Sequence, residues 1–315
     1  MPGKKIKFGV RIHQAGYSFE ELKRVWTTAD RLGYHSATLY DLLNAPALEC
    51  WTALSALAAV TERIRLTPLV LAITYRPPAL LAKMSATLDV ISGGRLELGI
   101  GAGGGGGDHR ASGISFPSIA ERVRMLEEAV ELIKRSWTNP TADFQGRYYS
   151  LDQSLNEPKP VQQPHPPLLI GGHGETHLLR AVAGHADICN IGFEMSLEEH
   201  QVKLEFLKRH CDRLGRDPAE IEVTHNTRVV IAETQEGFEA LAAKGAASAK
   251  VSLTGYKESL SRAIAGTPGQ CAEQLSRYVD SGIRYFFLLF PDPISSESLE
   301  LFASEVMPQF ALIQR

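Results

Sequence analysis

The chain has 315 residues, 44% of them hydrophobic, and a formal net charge of -3. That size and apolar fraction suit a soluble globular protein, and an α/β barrel reaches this length as one domain, so residues 1–315 are expected to form a single one. The negative balance excludes a sequence-independent nucleic-acid binder, which needs a basic face to displace counterions.

Short apolar runs alternate with amphipathic stretches along the whole chain. Ile6–Ile12 reads as the first strand, and Ser18–Leu32 as a helix with Ser18 as N-cap and Gly33 as stop. Ser36–Tyr40 is the second strand and Leu48–Thr61 a helix. Arg65–Ala72 is the third strand, followed by a helix over Ala79–Ile91. Leu96–Ile100 is the fourth strand and Ile119–Ser136 the fourth helix. Asn139–Pro167 reads as an irregular, Pro-rich insertion, too long for an ordinary connection. Leu168–Ile170, Asp187–Ile191, Ile221–Ala232 and Tyr285–Phe290 complete eight strands. Helices are expected over Thr176–Ala183, Leu197–Leu214, Pro268–Ser281 and Glu297–Val306, with a less defined helical stretch between Glu236 and Ile264. Strands such as Leu69–Ala72 and Phe286–Leu289 are apolar on both faces, as in a parallel sheet covered on both sides. The expected fold is α/β: a (β/α)8 TIM barrel with an insertion after the fourth helix.

The most apolar stretches, Leu66–Ile73 and Tyr285–Phe290, are strand-length, and no apolar run follows the basic N-terminal residues. No membrane span, signal peptide or lipid anchor is expected. Cys50, Cys189, Cys211 and Cys271 are widely spaced, which fits a reduced, cytoplasmic protein and not a disulfide framework.

Gly99-Ile-Gly101-Ala-Gly103-Gly104 fits a dinucleotide glycine pattern, but no helix is expected to open after it, so it reads as a mobile loop. Leu169 to Glu175 joins a strand to a helix at the C-terminal face. Its glycines suit either an anion cradle or a plain tight turn. His173 and His177 have i, i+4 spacing, yet no third ligand stands nearby, and no metal site is expected. His13, Asp41, Asp108 and His109 follow strands one, two and four. Singly each suits a cap or a solvated loop; together they converge on the rim where barrel enzymes place catalytic groups.

Several stretches resemble one family: Leu48 to Thr52 with Arg63 to Leu66, Tyr75 to Lys83, Leu88 to Arg95 with Gly99 to Gly103, His109 to Ala111, and Gly113 to Pro117. Pro158-Lys159-Pro160, Gly171 to Glu175, Ala186-Asp187 with Asn190, and Gly266-Thr267-Pro268 continue the likeness. Over nearly the whole chain they resemble the luciferase-like monooxygenase superfamily, closest to its coenzyme F420-dependent oxidoreductases. The resemblance implies a TIM barrel, a homodimer, and a cofactor across the C-terminal mouth with its phosphate on the Gly171–Glu175 loop. It implies a non-proline cis peptide at the end of strand three, placed here at a bond joining Leu71, Ala72 and Ile73. Cofactor contacts then fall on Asp41, Leu71, Ala72, Ile73, Gly101, Gly103, Gly171, Gly172, Gly174, Glu175 and Asn190. Asp41 matches an acidic position beside the cofactor ring, and Asp108 a glutamate position that acts as an acid. Asp108, His13, Asp41 and His109 are the catalytic candidates.

Two departures stand out. Leu42 replaces a histidine that many members carry, and Gly104–Gly107 replace an aromatic residue and polar neighbours. Leu42 moves no proton, so sugar oxidation that relies on that histidine is not expected. The leading expectation is hydride transfer between a deazaflavin and a small-molecule substrate. An FMN-dependent monooxygenase is the alternative, but it needs a sealed, dry site that a bare glycine run serves poorly. A barrel that binds a cofactor without catalysis is the third reading. Trp51, Leu54, Leu57, Ala58 and Val60 on a helix with few charges point to a subunit interface.

Overall fold

The computed structural model describes residues 5–172, 174–293 and 295–311. The strands are β1 (Lys7–Arg11), β2 (Ser36–Leu39), β3 (Arg65–Pro68), β4 (Leu71–Ala72), β5 (Leu98–Gly101), β6 (Thr141–Gln145), β7 (Ser150–Leu155), β8 (Leu168–Gly171), β9 (Ile188–Asn190), β10 (Glu222–Ile231), β11 (Ile264–Gly266) and β12 (Tyr285–Leu289). The helices are α1 (Phe19–Leu32), α2 (Cys50–Ala58), α3 (Pro78–Ile91), α4 (Gly106–Ala111), α5 (Ile119–Thr138), α6 (Leu178–His185), α7 (Leu197–Leu214), α8 (Gln235–Ala249), α9 (Leu253–Ser259), α10 (Pro268–Asp280), α11 (Glu297–Leu301) and α12 (Met307–Ala311).

The main sheet runs β3-β2-β1-β12-β10-β9-β8-β5-β4, with parallel pairing throughout. β3 and β4 are two halves of one stave. A parallel bridge between Leu66 and Leu96, and the Glu97 N–H donating to the Leu66 carbonyl at 3.0 Å, bring β3 against β5. With β3 and β4 counted as one, eight staves close the expected TIM barrel.

Side chains alternate across each strand, which divides the apolar residues into two layers. Leu69, Leu169, Ile188, Tyr285 and Phe287 fill the barrel interior. Val10, Phe286 and Leu288 instead join Trp26, Leu54 and Phe302 in the layer between sheet and helices. Caps set the helix ends: Ser18 and Glu21 form a capping box on α1, which stops at Gly33 in the left-handed conformation (φ 84°). α7 repeats this device with Ser196, Glu199 and Gly215.

Several expectations need correction. The third strand breaks after Pro68, and the cis peptide lies at Leu69–Val70, not beside Ala72. The break turns Val70 toward the glycine pair of β5 and β8: a Cβ on Gly171 would lie 2.7 Å from its Cγ1, and one on Gly101 2.9 Å from its Cγ2. The insertion contains an antiparallel hairpin, β6–β7. Gln162, further along it, donates to Asp89 and to the Leu96 carbonyl and accepts from Arg65. That anchors the insertion at the N-terminal end of the barrel, away from the mouth. The stretch 236–264 resolves into α8, α9 and the start of β11, which pairs with the far half of β10. Helix α4 opens within the glycine run, at Gly106, because Gly105 (φ 68°) turns the chain into it. The last expected helix runs from α11 through one wider turn into α12.

The interface argument for α2 also changes. Trp51, Leu54, Leu57 and Ala58 are buried in the chain's own core, and Val60 alone of that set is exposed, at 37%. Cys50, Cys189, Cys211 and Cys271 are buried and unpaired. Among the described residues no helix is long and apolar enough to cross a membrane.

Candidate active site at the barrel mouth

A cavity of about 630 Å³ opens where β2, β4, β5 and β8 end. Its size lies within the range of small-molecule and cofactor pockets. Tyr40, Asp41 and Leu42 come from the end of β2, residues 69–72 from the broken stave, residues 101–105 and Asp108 from the β5 loop, and Gly171, Gly172 and residues 174–178 from the β8 loop. Ile119 and Val123, one turn apart on α5, add an apolar wall.

Asp41 is held on every side. It accepts from both Arg76 Nη atoms at 2.8 Å and from the Ala72 N–H at 2.9 Å, and its side chain is 2% exposed. Arg76 also reaches Glu49 Oε1 at 2.6 Å, while Glu49 caps α2 by accepting from the Trp51 and Thr52 N–H groups. Burial opposes the charge on Arg76, but the hydrogen bonds and charges of Asp41 and Glu49 outweigh it and raise its pKa. Burial likewise opposes ionisation of Glu49, while the α2 N–H groups and Arg76 hold its carboxyl below the usual range. This network ties the backbone of β4, one wall of the cavity, to the β2 end and to α2.

The β8 loop offers donors, though not where the sequence suggests. The Gly172 N–H donates to the Asn190 carbonyl at 2.9 Å, extending the β8–β9 ladder, so it is not free for an anion. Gly172 has φ 144°, and a Cβ there would lie 2.1 Å from Leu178 Cδ2. The groups nearest the cavity come after it, at Gly174 and at the first turn of α6, where the Leu179 N–H is already taken by the Gly174 carbonyl at 3.0 Å. Glu175 pairs with Lys203 at 2.7 Å, and its carbonyl meets His210 Nε2 at 3.0 Å. His173 lies outside the described residues.

Across the cavity, Asp108 stands in α4 with its carboxylate over Gly105, where a Cβ would lie 2.9 Å from Oδ2. Tyr75 faces the same space. Burial first, then the charges of Asp108 and Asp41, raise its hydroxyl pKa. Gly104 and Gly105 are exposed, and a Cβ on Gly104 would meet nothing within 4 Å.

Of the candidates read from the sequence, Asp41, Leu71, Ala72, Gly101, Gly103, Asp108, Gly171, Gly172, Gly174 and Glu175 line this cavity. Four others do not. His109 is fully buried between the Tyr75 and Phe116 rings, with its ring nitrogens on Thr74 Oγ1 (2.7 Å) and the Gly105 carbonyl (3.1 Å). His13 is exposed and packs on Tyr40, ring centroids 4.8 Å apart. Ile73 is buried in the core at 1% exposure. The Asn190 side chain bonds Thr224 and Asn226, leaving only its carbonyl to hold Gly172. Sequence reasoning missed Tyr40, Tyr75, Arg76 and the α5 pair. The run Tyr75-Arg76-Pro77 carried a signal, a cation and a phenol just after an apolar strand; Ile119 and Val123 carried none. Among the described residues no group of three or more His, Cys, Asp or Glu side chains is placed to hold a metal.

Residues 5–263 match the family model described as luciferase-like monooxygenase. The chain is 28% identical, over 97% of its own length and 97% of the relative's, to an F420-dependent glucose-6-phosphate dehydrogenase of Kineococcus radiotolerans. In fold it is similar to the coenzyme F420 dependent tetrahydromethanopterin reductase of Methanopyrus kandleri, with TM-score 0.80, 19% identity and coverage of 98% and 100% of the two chains. It is equally similar to the monooxygenase RslO1 of Streptomyces bottropensis, with TM-score 0.80, 24% identity and coverage of 97% and 100%.

Proposed function

The chain belongs to the luciferase-like monooxygenase family, and from that premise we propose that it is a coenzyme F420-dependent oxidoreductase moving hydride between the deazaflavin and a small organic substrate. The observation that carries the reading is the mouth cavity, apolar on its α5 and β4 walls and edged by the N-terminus of α6. Leu42, Val70 and Val123 suit a flat ring. The Gly174 loop and the N-terminal end of α6 suit the cofactor phosphate, since backbone donors and the helix dipole both favour an anion. The F420-dependent relative from Kineococcus, matched over nearly its whole length, supports the same cofactor.

A bound deazaflavin supplies a carbon that takes or gives a hydride and does not readily activate dioxygen. The residues of the chain supply the rest. Asp108 is placed to give or take the proton that accompanies hydride transfer, with the Tyr75 hydroxyl beside it. Asp41, held by Arg76, orients the Ala72 backbone. Gly104 and Gly105 leave one side of the site open, which disfavours an FMN monooxygenase that must keep water out.

Parallel fluorescence titrations with coenzyme F420 and FMN test the reading. Tighter binding of F420, with F420-dependent turnover on a substrate panel, is expected. FMN retained on purification with oxygen-dependent turnover would replace the reading with the monooxygenase, and F420 binding without turnover would leave a non-catalytic barrel. The buried, unpaired cysteines support a cytoplasmic protein; a secreted fraction carrying the activity would count against it. The homodimer would use α3, where Leu80, Val90 and Ile91 are exposed. A monomer by sedimentation at micromolar concentration would remove that assignment.

A further inference from the structure

Beside the cavity, the mouth end of β1 carries a guanidinium with no ion-pair partner among the described residues. Gly9 faces the barrel interior: a Cβ there would lie 3.0 Å from the ring of Phe287, a member of the interior cluster. Side chains alternate along a strand, so Arg11, two residues on, shares that face at the C-terminal end of β1. Its register partner on β2 is Thr38. Arg11 Nε, Arg11 Nη1 and Thr38 Oγ1 are all buried without a hydrogen-bond partner among the described residues.

Other arginines around the mouth are matched, Arg76 with Asp41 and Arg228 with Glu194. Among the described residues no carboxylate forms an ion pair with Arg11. Its neighbours are rings: the guanidinium carbon lies 5.1 Å from the Tyr40 centroid and 4.6 Å from that of Phe193. Ring faces attract a cation, but they fill no N–H donor, and an empty buried donor is costly. The Tyr40 hydroxyl interacts with Arg11 and is neutral, its pKa raised by burial even against the pull of the guanidinium. An anionic oxygen answers both deficits, the missing charge and the missing acceptor. A neutral hydroxyl answers only the second.

We propose that Arg11 and Thr38 form an anion subsite that anchors an oxyanion of the substrate, a carboxylate or a phosphate ester. The Tyr40 ring walls both this subsite and the cavity, so an anion held here places the rest of a small molecule toward the proposed cofactor ring. Phe193 is 40% exposed and lies against the guanidinium, which makes it the cover that swings aside on binding. The inference rests on the proposed hydride transfer only in calling the bound anion the substrate.

Calorimetric titration with benzoate and, separately, with inorganic phosphate tests it, each with and without coenzyme F420. The wild-type protein should bind at least one of them. Benzoate alone would assign a carboxylate, and phosphate alone a phosphate ester. Arg11→Gln should weaken that binding at least about tenfold, the effect of one lost charge-assisted hydrogen bond. Arg11→Lys, which keeps the charge, should lose less, and Thr38→Val should lose roughly threefold. F420 affinity, read by fluorescence, should stay at the wild-type value in all three. If Arg11→Gln does not fold, the other two variants carry the comparison. Anion binding without any F420 binding would refute the deazaflavin reading and leave the subsite standing. Binding of neither anion by the wild type, or undiminished binding in the folded variants, would overturn the subsite.

Discussion

Replacing Glu97 with glutamine should remove a block of acid-sensitive stability. Glu97 is 2% exposed and sits inside the N-terminal end of the barrel. It accepts from Thr67 Oγ1 at 2.9 Å and Tyr285 Oη at 2.8 Å, and lies 3.3 Å from His35 Nε2. Arg65 Nε is 2.9 Å away, an ion pair off hydrogen-bond alignment. Burial alone would favour the neutral acid, but His35, Arg65 and Tyr285 outweigh it and lower the carboxyl pKa from 4.5 to about 2. At about 1.36 kcal/mol per pH unit, that lowering corresponds to roughly 3 kcal/mol. The sign follows from which state takes the proton: below pH 4.5 the unfolded chain protonates Glu97 while the folded chain resists until about 2. The contribution is therefore present above pH 4.5 and lost as pH falls through about 2.

The buried pair His200 and His225 also weakens the protein in acid. Burial holds them neutral, with pKa values lowered to about 4 and about 3, so their effect begins near 6.5 and is common to both proteins. The difference between wild type and Glu97→Gln isolates the carboxylate. Urea unfolding of both, from about pH 7 to about pH 3, should show a gap that is constant above pH 5 and narrows by about 2 kcal/mol below it. A gap that stays constant down to the lowest pH would refute the assignment.

Three further outcomes are expected. A Cβ on Gly99 would lie 1.9 Å from the Pro68 carbonyl oxygen, a backbone atom that cannot step aside, so Gly99→Ala should cost about 3 kcal/mol or more; a thermal unfolding midpoint within a degree or so of wild type would contradict that contact. Gly172→Asp adds both bulk against Leu178 and negative charge near the α6 N-terminus, and F420 affinity should drop at least about tenfold; an unchanged fluorescence titration of the folded variant would move the phosphate elsewhere. Asp108→Asn should lower turnover about 10²–10⁴-fold while cofactor affinity stays nearly intact; wild-type turnover across the pH range would pass the proton to another group, with Tyr75 next by position.

The ends of α1 were legible from Ser18 and Gly33, and the span of α7 from its amphipathic pattern, because caps and helical period act through neighbours within a turn or two. The alternation of apolar runs likewise announced a parallel barrel, because strands covered on both faces carry that composition whatever their partners. The hairpin β6–β7 was not legible: Thr141–Gln145 reads as polar with two buried positions, and its pairing with Ser150–Leu155 decides the structure. At the site, glycine loops and carboxylates at strand ends were visible as residue types, but not their partners. Asp41 meets Arg76 35 positions away, His109 turns into the core, and the N–H of Gly172 is taken by Asn190. Local propensity and capping operate over a few residues and so are written in adjacent letters. Which carboxylate is neutralised, and which guanidinium is left without a counter-charge, depends on contacts that exist only once the staves have closed.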